Sequence, residues 1–320
     1  MDDKTKDPKE LFHYTSIRGL LGIVESNNIH ASHIEFMNDR KELIYADEII
    51  RPMMSQEFER RFVELQNASL MTNNFEMKDL CDKETSNLLS SIRLVSNRLS
   101  PLFVTSFCRA ETQHSAEHGL LSQWRSYGDG GVAIVFDTKK LKKMWRRQGQ
   151  NYKTSGSMFG DVVYGTTDSQ YSEIASSLDM FRKAVPTMIE TMIESLSGKK
   201  VSFEGDKTSI DNLFMPYVTV KPVLKHPSFH EEREFRMVFG IPRNGFSTKK
   251  LPDKKIQFKV RDNYLLPYIA IDPFDGKQLP IARVIVGPSS EPDRRKASIE
   301  MLLSEKGYSV PVSLSEIPLS

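Results

Sequence analysis

Two glutamates and an arginine at alternate positions, Glu232, Glu234 and Arg236, are the residues of this chain whose types and spacing best fit a reaction centre. Along a strand, alternate side chains share a face. Read as a strand, Phe229–Arg236 would collect these three charges on one side and leave Phe235, Met237 and Phe239 for the core. Two like charges so close need a neighbouring cation, water or a ligand. Such a face either lines a cleft, where paired carboxylates can divide acid–base and electrostatic work, or is a solvated strand face with a cross-strand ion pair.

Other strings carry chemistry of their own. His13-Tyr14-Thr15 sets His13 and Thr15 on one side of a short strand and Tyr14 on the other; the bland alternative is a satisfied histidine and a capping hydroxyl. Asn38-Asp39 followed by Glu42 has the spacing of a capping box, or supplies a carboxylate that orients a ligand. Trp124 and Tyr127, followed by Gly128 and Gly130-Gly131, offer either core aromatics before a turn or ring faces for a planar ligand with glycines that let it approach. Between Lys139 and Lys153 stand seven basic residues and no acidic one. Lys139, Lys143, Arg146 and Arg147 would attract phosphates and Trp145 or Tyr152 could stack on bases, unless this is a solvated helix face.

The elements that must position these residues are legible in outline. Leu11–Thr15 reads as a strand, with Ser16 capping a helix that carries Leu20, Leu21, Ile23 and Val24. Ile29–His33 reads as a second strand. A helix is expected from Asn38 or Asp39 through Ile49, and further polar helices from Pro52 to Leu99 with a break at Asn73-Asn74. Pro101 opens a strand, Leu102–Cys108, followed by a polar loop to His118, a short helix at Leu120–Tyr127, a strand at Val132–Phe136 and a basic amphipathic helix. Strands are expected at Asp161–Tyr164, Ile256–Val260, Leu265–Ile271, Arg283–Val286 and Tyr308–Val312, and helices across 169–197 and 290–305. The elements do not alternate regularly, which favours α+β over a doubly wound sheet.

Composition narrows the classes. The 44 basic and 42 acidic residues give a net charge of +2, so any nucleic-acid site must be local. Two distant cysteines, Cys81 and Cys108, make neither a disulfide framework nor a metal knuckle. The polar start, Met1–Glu10, and the lack of a long apolar run lead us to expect a cytoplasmic protein.

Taken together, the strings resemble a widespread bacterial family of uncharacterised proteins. Its pattern is carried here by His13–Ser16, by Asn38-Asp39 with Glu42, by Ser106–Cys108, by Trp124, Tyr127, Gly128 and Gly131, and by Glu232, Glu234 and Arg236 with a Gly287-Pro288 turn. The resemblance spans roughly residues 11–312. The order of motifs is in turn similar to the ADP-ribosyltransferase superfamily. That likeness implies an α+β fold with a split mixed β-sheet core, as one domain over 1–320 with helical insertions at about 52–99 and 169–217. It implies NAD as the consumed cofactor, held by His13 with Tyr14 and Thr15 and by Trp124 or Tyr127, with Glu234 performing the chemistry. Glu232 would deprotonate or orient the acceptor, and Arg236 would neutralise the pair or hold a pyrophosphate. The superfamily further implies nucleic acid or protein as acceptor, a toxin or anti-phage role and an antitoxin partner. Two other readings stand beside it: a nucleotide-binding module without turnover, and a magnesium-dependent nuclease using Asp39, Glu42, Glu232 and Glu234.

Overall fold

The computed structural model describes residues 7–37, 40–69, 76–127, 131–166, 219–243 and 250–318, with isolated positions between 179 and 190. Its strands are β1 (Glu10–Ser16), β2 (Ile29–His33), β3 (Leu102–Cys108), β4 (Gly131–Asp137), β5 (Gly156–Asp161), β6 (Val163–Tyr164), β7 (Leu224–Lys225), β8 (Glu234–Gly240), β9 (Gln257–Arg261), β10 (Tyr264–Ile271), β11 (Ile281–Val286) and β12 (Val312–Leu314). Its helices are α1 (Ile17–Ser26), α2 (Arg40–Asn67), α3 (Met77–Leu99), α4 (Gln113–His118), α5 (Leu121–Tyr127), α6 (Thr138–Asn151) and α7 (Pro292–Glu305). Among the described residues no helix is long and apolar enough to cross a membrane.

The fold is α+β, built on a mixed sheet. Ten strands pair in the order β12-β11-β4-β1-β3-β2-β10-β9, with β8 and then β5 joined through β3. All pairs in it are antiparallel except β11–β12. β8 takes one edge of β3 along its whole length. The other edge is shared. β2 pairs with it at Phe103 and Val104, and β1 pairs with it at Cys108 alone. Between those contacts β1 and β2 part company, so the sheet splits at Thr105–Phe107.

Alternation along the strands gives two faces. Leu11, Ile29, Ala31, Phe103, Phe107, Ile134, Phe235, Met237, Phe239, Ile269 and Val284 fall on one, covered by Leu20 and Val24 of α1, Leu141 and Met144 of α6 and Ile299 and Leu303 of α7. On the other face lie Phe12, Tyr14, Cys108, Ala133 and Ile285, which pack on Trp124 of α5. Beside them Leu102, Val104 and Val238 pack with Ile34. A further cluster, from Ile50, Met54, Phe58 and Phe62 of α2, Leu88, Leu89 and Ile92 of α3 and Val220, Val223 and Leu224, covers the same side and touches the sheet through Met158.

Ser16 does cap α1, its hydroxyl accepting the amide of Gly19. Three expectations change. Phe229–Arg236 is not one strand. Pro227 begins a 3-10 turn, Pro227–Glu232, capped by the His226 ring. Arg233 then adopts a left-handed conformation with φ 46°, and β8 starts only at Glu234. The polar loop after β3 contains α4, started by a reciprocal cap between Thr112 and Ser115. The last strand is Val312–Leu314 rather than Tyr308–Val312; Gly307, at φ +76°, turns the chain and Tyr308 is buried ahead of it. β9 and β10 begin and end within a residue of expectation. The Asn38-Asp39 start, the Asn73-Asn74 break and most of 169–217 lie outside the described residues.

Phe107 sits in the middle of the sheet, 1% exposed, edge-on to Phe136. Phe107→Ala is expected to cost roughly 3–5 kcal/mol, read as a lower urea midpoint at unchanged slope.

Candidate functional site

Glu234 opens β8 opposite Cys108, and Cys108 in turn lies opposite Phe12 of β1. Facing residues on paired strands share a face, so Phe12, Cys108 and Glu234 form one row across three strands, each about 4.8 Å from the next. Arg236 is two residues further along the same face, opposite Ser106.

That face is neither solvated nor open at Glu234. Glu234 and Arg236 are 5% and 1% exposed. The arginine grips the carboxylate two residues before it: Nε donates to Oε1 at 2.7 Å and Nη2 to Oε2 at 2.9 Å. Its Nη1 donates to the Pro222 carbonyl at 2.9 Å. Lys225 Nζ donates to Glu234 Oε2 at 2.9 Å and to Glu232 Oε2 at 2.8 Å. The Glu234 amide donates to the Tyr164 hydroxyl at 2.8 Å. Tyr164 and Lys225 are partners in the parallel pair β6–β7, so a two-residue ladder delivers both contacts. Burial alone would raise the Glu234 pKa; the Arg236 and Lys225 charges and the Arg236 hydrogen bonds overcome it and hold the carboxyl down to about 2. Cys108, beside it, is a neutral thiol, pushed up by burial and by the Glu234 and Glu232 charges.

Lys225 belongs to a run, Val220-Lys221-Pro222-Val223-Leu224-Lys225, in which the two lysines reach separate carboxylates. Lys221 Nζ donates to Glu35 Oε1 at 2.5 Å, and Arg93 of α3 pairs with the other oxygen. Burial opposes the Glu35 charge, and Arg93 and Lys221 restore it, leaving the pKa lowered. Sequence reasoning missed both lysines and Tyr164. The available signal was two cations in an apolar run, since buried ammonium groups require acidic partners.

His13 lies one residue from the row but turns to the opposite face, where its ring stands 5.7 Å from that of Phe107. The structure does not set it on the face of Glu234. Instead it occupies the split: its Nδ1 is 3.0 Å from the Ser106 carbonyl, on the edge of β3 that β1 and β2 leave between them. A carbonyl only accepts, so Nδ1 carries the hydrogen. Burial, opposed by this hydrogen bond, lowers the pKa. The neutral ring therefore keeps Nε2 as an acceptor.

Tyr14 and Trp124 meet edge-on, with ring centroids 4.8 Å apart. The Tyr14 hydroxyl accepts the Leu120 amide at 2.8 Å, and Trp124 Nε1 donates to the His118 carbonyl at 2.9 Å. Two glycines clasp the indole: a Cβ at Gly119 would come within 2.6 Å of it and one at Gly287 within 2.8 Å. The Gly287 amide donates to the Gly131 carbonyl. The strings around Tyr14, Trp124, Gly131 and Gly287 thus converge on the packing of one buried indole. Thr15 is half-buried against Gly19. The Tyr127 side chain, and those of Asn38, Asp39 and Glu42, lie outside the described residues.

On α6, Lys139, Lys143 and Arg146 are exposed, while Leu141, Met144 and Gln148 are buried. Arg147 is tied to Asp275 and stands 4.9 Å from the Phe274 ring. Trp145 packs near Phe159, and Lys254 lies over Tyr152 at 4.2 Å. Among the described residues no group of three His, Cys, Asp or Glu side chains is placed to hold a metal ion.

Residues 123–237 match a protein family described as "Protein of unknown function (DUF2971)". Over that segment the chain is similar to an uncharacterised family. The segment runs from the residue before Trp124 to the residue after Arg236, so it contains the clasped indole itself and the buried charges around Glu234, while Tyr14, Gly119 and Gly287 lie outside it. No curated protein matches. Among solved structures, the chain is similar to "Thermus sp. 2.9 DarT in complex with ADP-ribosylated ssDNA", at 11% identity and TM-score 0.31, over 98% of this chain and 97% of that one. It is similar as well to "Thermus sp. 2.9 DarT in complex with NAD+", at 11% identity and TM-score 0.29, over 97% of this chain and 96% of that one.

Because the folded pKa of Glu234 lies below its unfolded value of about 4.3, its charge stabilises the fold above that pH and the contribution disappears as pH falls through about 2. Acid titration of stability should therefore show a loss across this window, and Glu234→Gln should flatten it. An unchanged titration in the variant would mean that Glu234 is not held ionised.

Proposed function

We propose that this protein consumes NAD and transfers its ADP-ribose, and that nucleic acid is the acceptor. The observation that supports this best is the row Phe12–Cys108–Glu234, which sets an ionised, buried carboxylate two strands from a neutral histidine lodged where the sheet splits. The dinucleotide would enter at that split. His13 Nε2 would accept a ribose hydroxyl hydrogen.

Cleavage of the bond between ribose C1′ and the nicotinamide nitrogen sends the bonding pair to nicotinamide and leaves positive charge on the ribose ring. A fixed carboxylate stabilises that charge more in the transition state than in the ground state. Glu234 supplies it. Its protein cations must first yield an oxygen, and Lys225 is the one that can withdraw, because Arg236 is anchored to Pro222 as well. The acceptor then forms its bond to C1′ and passes its proton to Glu232, whose carboxylate is partly exposed beside Lys225. Trp124 acts by holding Tyr14 and β1 in place, and Arg236 by setting the orientation of Glu234. Lys139, Lys143 and Arg146 on α6 would meet acceptor phosphates. A toxin or anti-phage role, with an antitoxin as partner, fits this chemistry.

The Lys225–Glu234 bond equally favours a second reading, a nucleotide-binding module that does not turn its ligand over. Nicotinamide release from NAD, measured with and without RNA or DNA, separates the two. Transfer predicts release that falls at least about 100-fold in Glu234→Gln while the variant keeps its native circular dichroism. Release by folded Glu234→Gln at the wild-type rate would overturn the assignment, and absence of release with nucleotide-induced thermal stabilisation would favour the binding module. Replacing Lys139, Lys143 and Arg146 together should weaken nucleic-acid binding and reduce its salt dependence; unchanged binding would remove α6 from the acceptor site.

A further inference from the structure

The β9–β10 hairpin and β2 continue the face that carries Glu234. Ser32 of β2 lies opposite Val104 of β3 and opposite Tyr268 of β10, and Tyr268 lies opposite Gln257 of β9. His30, two residues before Ser32, shares this face, as do Lys259, Arg261 and Tyr264 of the hairpin.

Here basic side chains and rings gather. The His30 ring stacks on Tyr268 with centroids 4.0 Å apart and planes 31° from parallel. Lys259 Nζ stands 3.4 Å from His30 Nδ1 and 5.5 Å from the Tyr268 ring centre. Burial and the nearby Arg261 charge lower the pKa of Lys259. The protein thus holds a half-buried ammonium against the Tyr268 ring and the His30 imidazole, beside the Arg261 charge, and a buried charge costs free energy unless it is paired.

The tautomer of His30 adds a directed donor. Burial and Lys259 lower its pKa to about 4, with Asp272 opposing, so the ring is neutral at pH 7. Lys259 can only donate, so His30 Nδ1 accepts and Nε2 carries the hydrogen. Tyr268 fixes the plane of that ring, and its own hydroxyl is bonded to Gln257. Next along the hairpin, Arg261 faces Tyr264, which is 40% exposed and 6.2 Å from the Phe36 ring. An ammonium and an imidazole N–H in contact, with an exposed aromatic ring further along the same face of the hairpin, are the groups that a phosphate carrying a planar base takes up.

We propose that Lys259 and His30 form a phosphate-binding site for a nucleotide, with Tyr264 as the platform for its base. This goes beyond the transferase reading, and rests on it only for taking the ligand to be a nucleotide. The same chemistry suits the phosphate of a free dinucleotide and the phosphodiester of a single strand, and the site could serve either during transfer.

Isothermal titration of the full chain with ADP, NAD, a thymidine oligonucleotide and adenosine at low salt distinguishes the sources. Lys259→Met and His30→Ala are each expected to weaken phosphate-bearing ligands about tenfold or more, while Lys296→Met on α7 leaves them unchanged. Adenosine, which lacks phosphate, should respond to neither. Loss confined to ADP and NAD assigns the site to the free dinucleotide, and loss confined to the oligonucleotide assigns it to the strand. Wild-type affinity of folded Lys259→Met for every phosphate ligand overturns the proposal. Nicotinamide release keeps the two ideas apart: Lys259-dependent ADP binding without release retains the phosphate site and removes the transferase, and Glu234-dependent release with Lys259-independent binding does the reverse.

Discussion

The rest of the structure hangs on one buried ion cluster. Glu234 and Arg236 are adjacent on one face of β8, and neither could sit there alone, because an uncompensated charge out of water is far more costly than a broken surface pair. Lys225 joins them from β7, and the Pro222 carbonyl receives the spare guanidinium hydrogen. The cluster therefore binds the 219–225 segment to the sheet with directional contacts rather than by apolar burial alone. Lys221, reaching Glu35 from the same run, repeats the device one turn of chain earlier. Between them the two lysines seat the α2–α3 layer, whose apolar cluster includes Val220, Val223 and Leu224.

A second constraint is the split. Strand β3 offers one edge to β8 and divides the other between β1 and β2. Such a division leaves a few backbone groups without a ladder partner, and one of them, the Ser106 carbonyl, takes the His13 ring instead. The histidine is thus fixed in one tautomer by a strand that it does not pair with. The split and the charge cluster lie within one row of residues, so the two places where the sheet departs from ordinary pairing and packing are neighbours.

Much of the frame was legible in the sequence, for reasons that can be named. Leu11–Thr15 and Leu102–Cys108 are largely apolar runs, Ile29–His33 alternates apolar and polar residues, and Ser16 is a serine directly ahead of a periodic segment; local rules fix such features. The 3-10 turn at Pro227–Glu232 was not, because alternation in His230–Arg236 mimics a strand and only Pro227 and the left-handed Arg233 break it. In the candidate site, the charged trio and the aromatic string stood out by type. Their environment did not. That Glu234 is covered depends on Lys225 arriving from a segment whose approach is a tertiary event, and that Trp124 is packed rather than presented depends on the distant Gly287 meeting it opposite the nearby Gly119. The two faces of β1 were correctly separated by periodicity, yet which face would carry Glu234 required the register of β3 against both neighbours.

The chain has two tryptophans, and they stand on opposite sides of the sheet: Trp124 is enclosed with the β1–β4–β11 cluster, and Trp145 lies on α6, against the core of the other face. Each layer therefore carries its own intrinsic fluorophore. Trp124 emits from a dry enclosure that it shares with Phe12 and Cys108 of the Glu234 row, whereas Trp145 reports on the helix that closes the far side. With one indole replaced at a time, the loosening of either layer becomes separately visible by emission wavelength, without any label being attached.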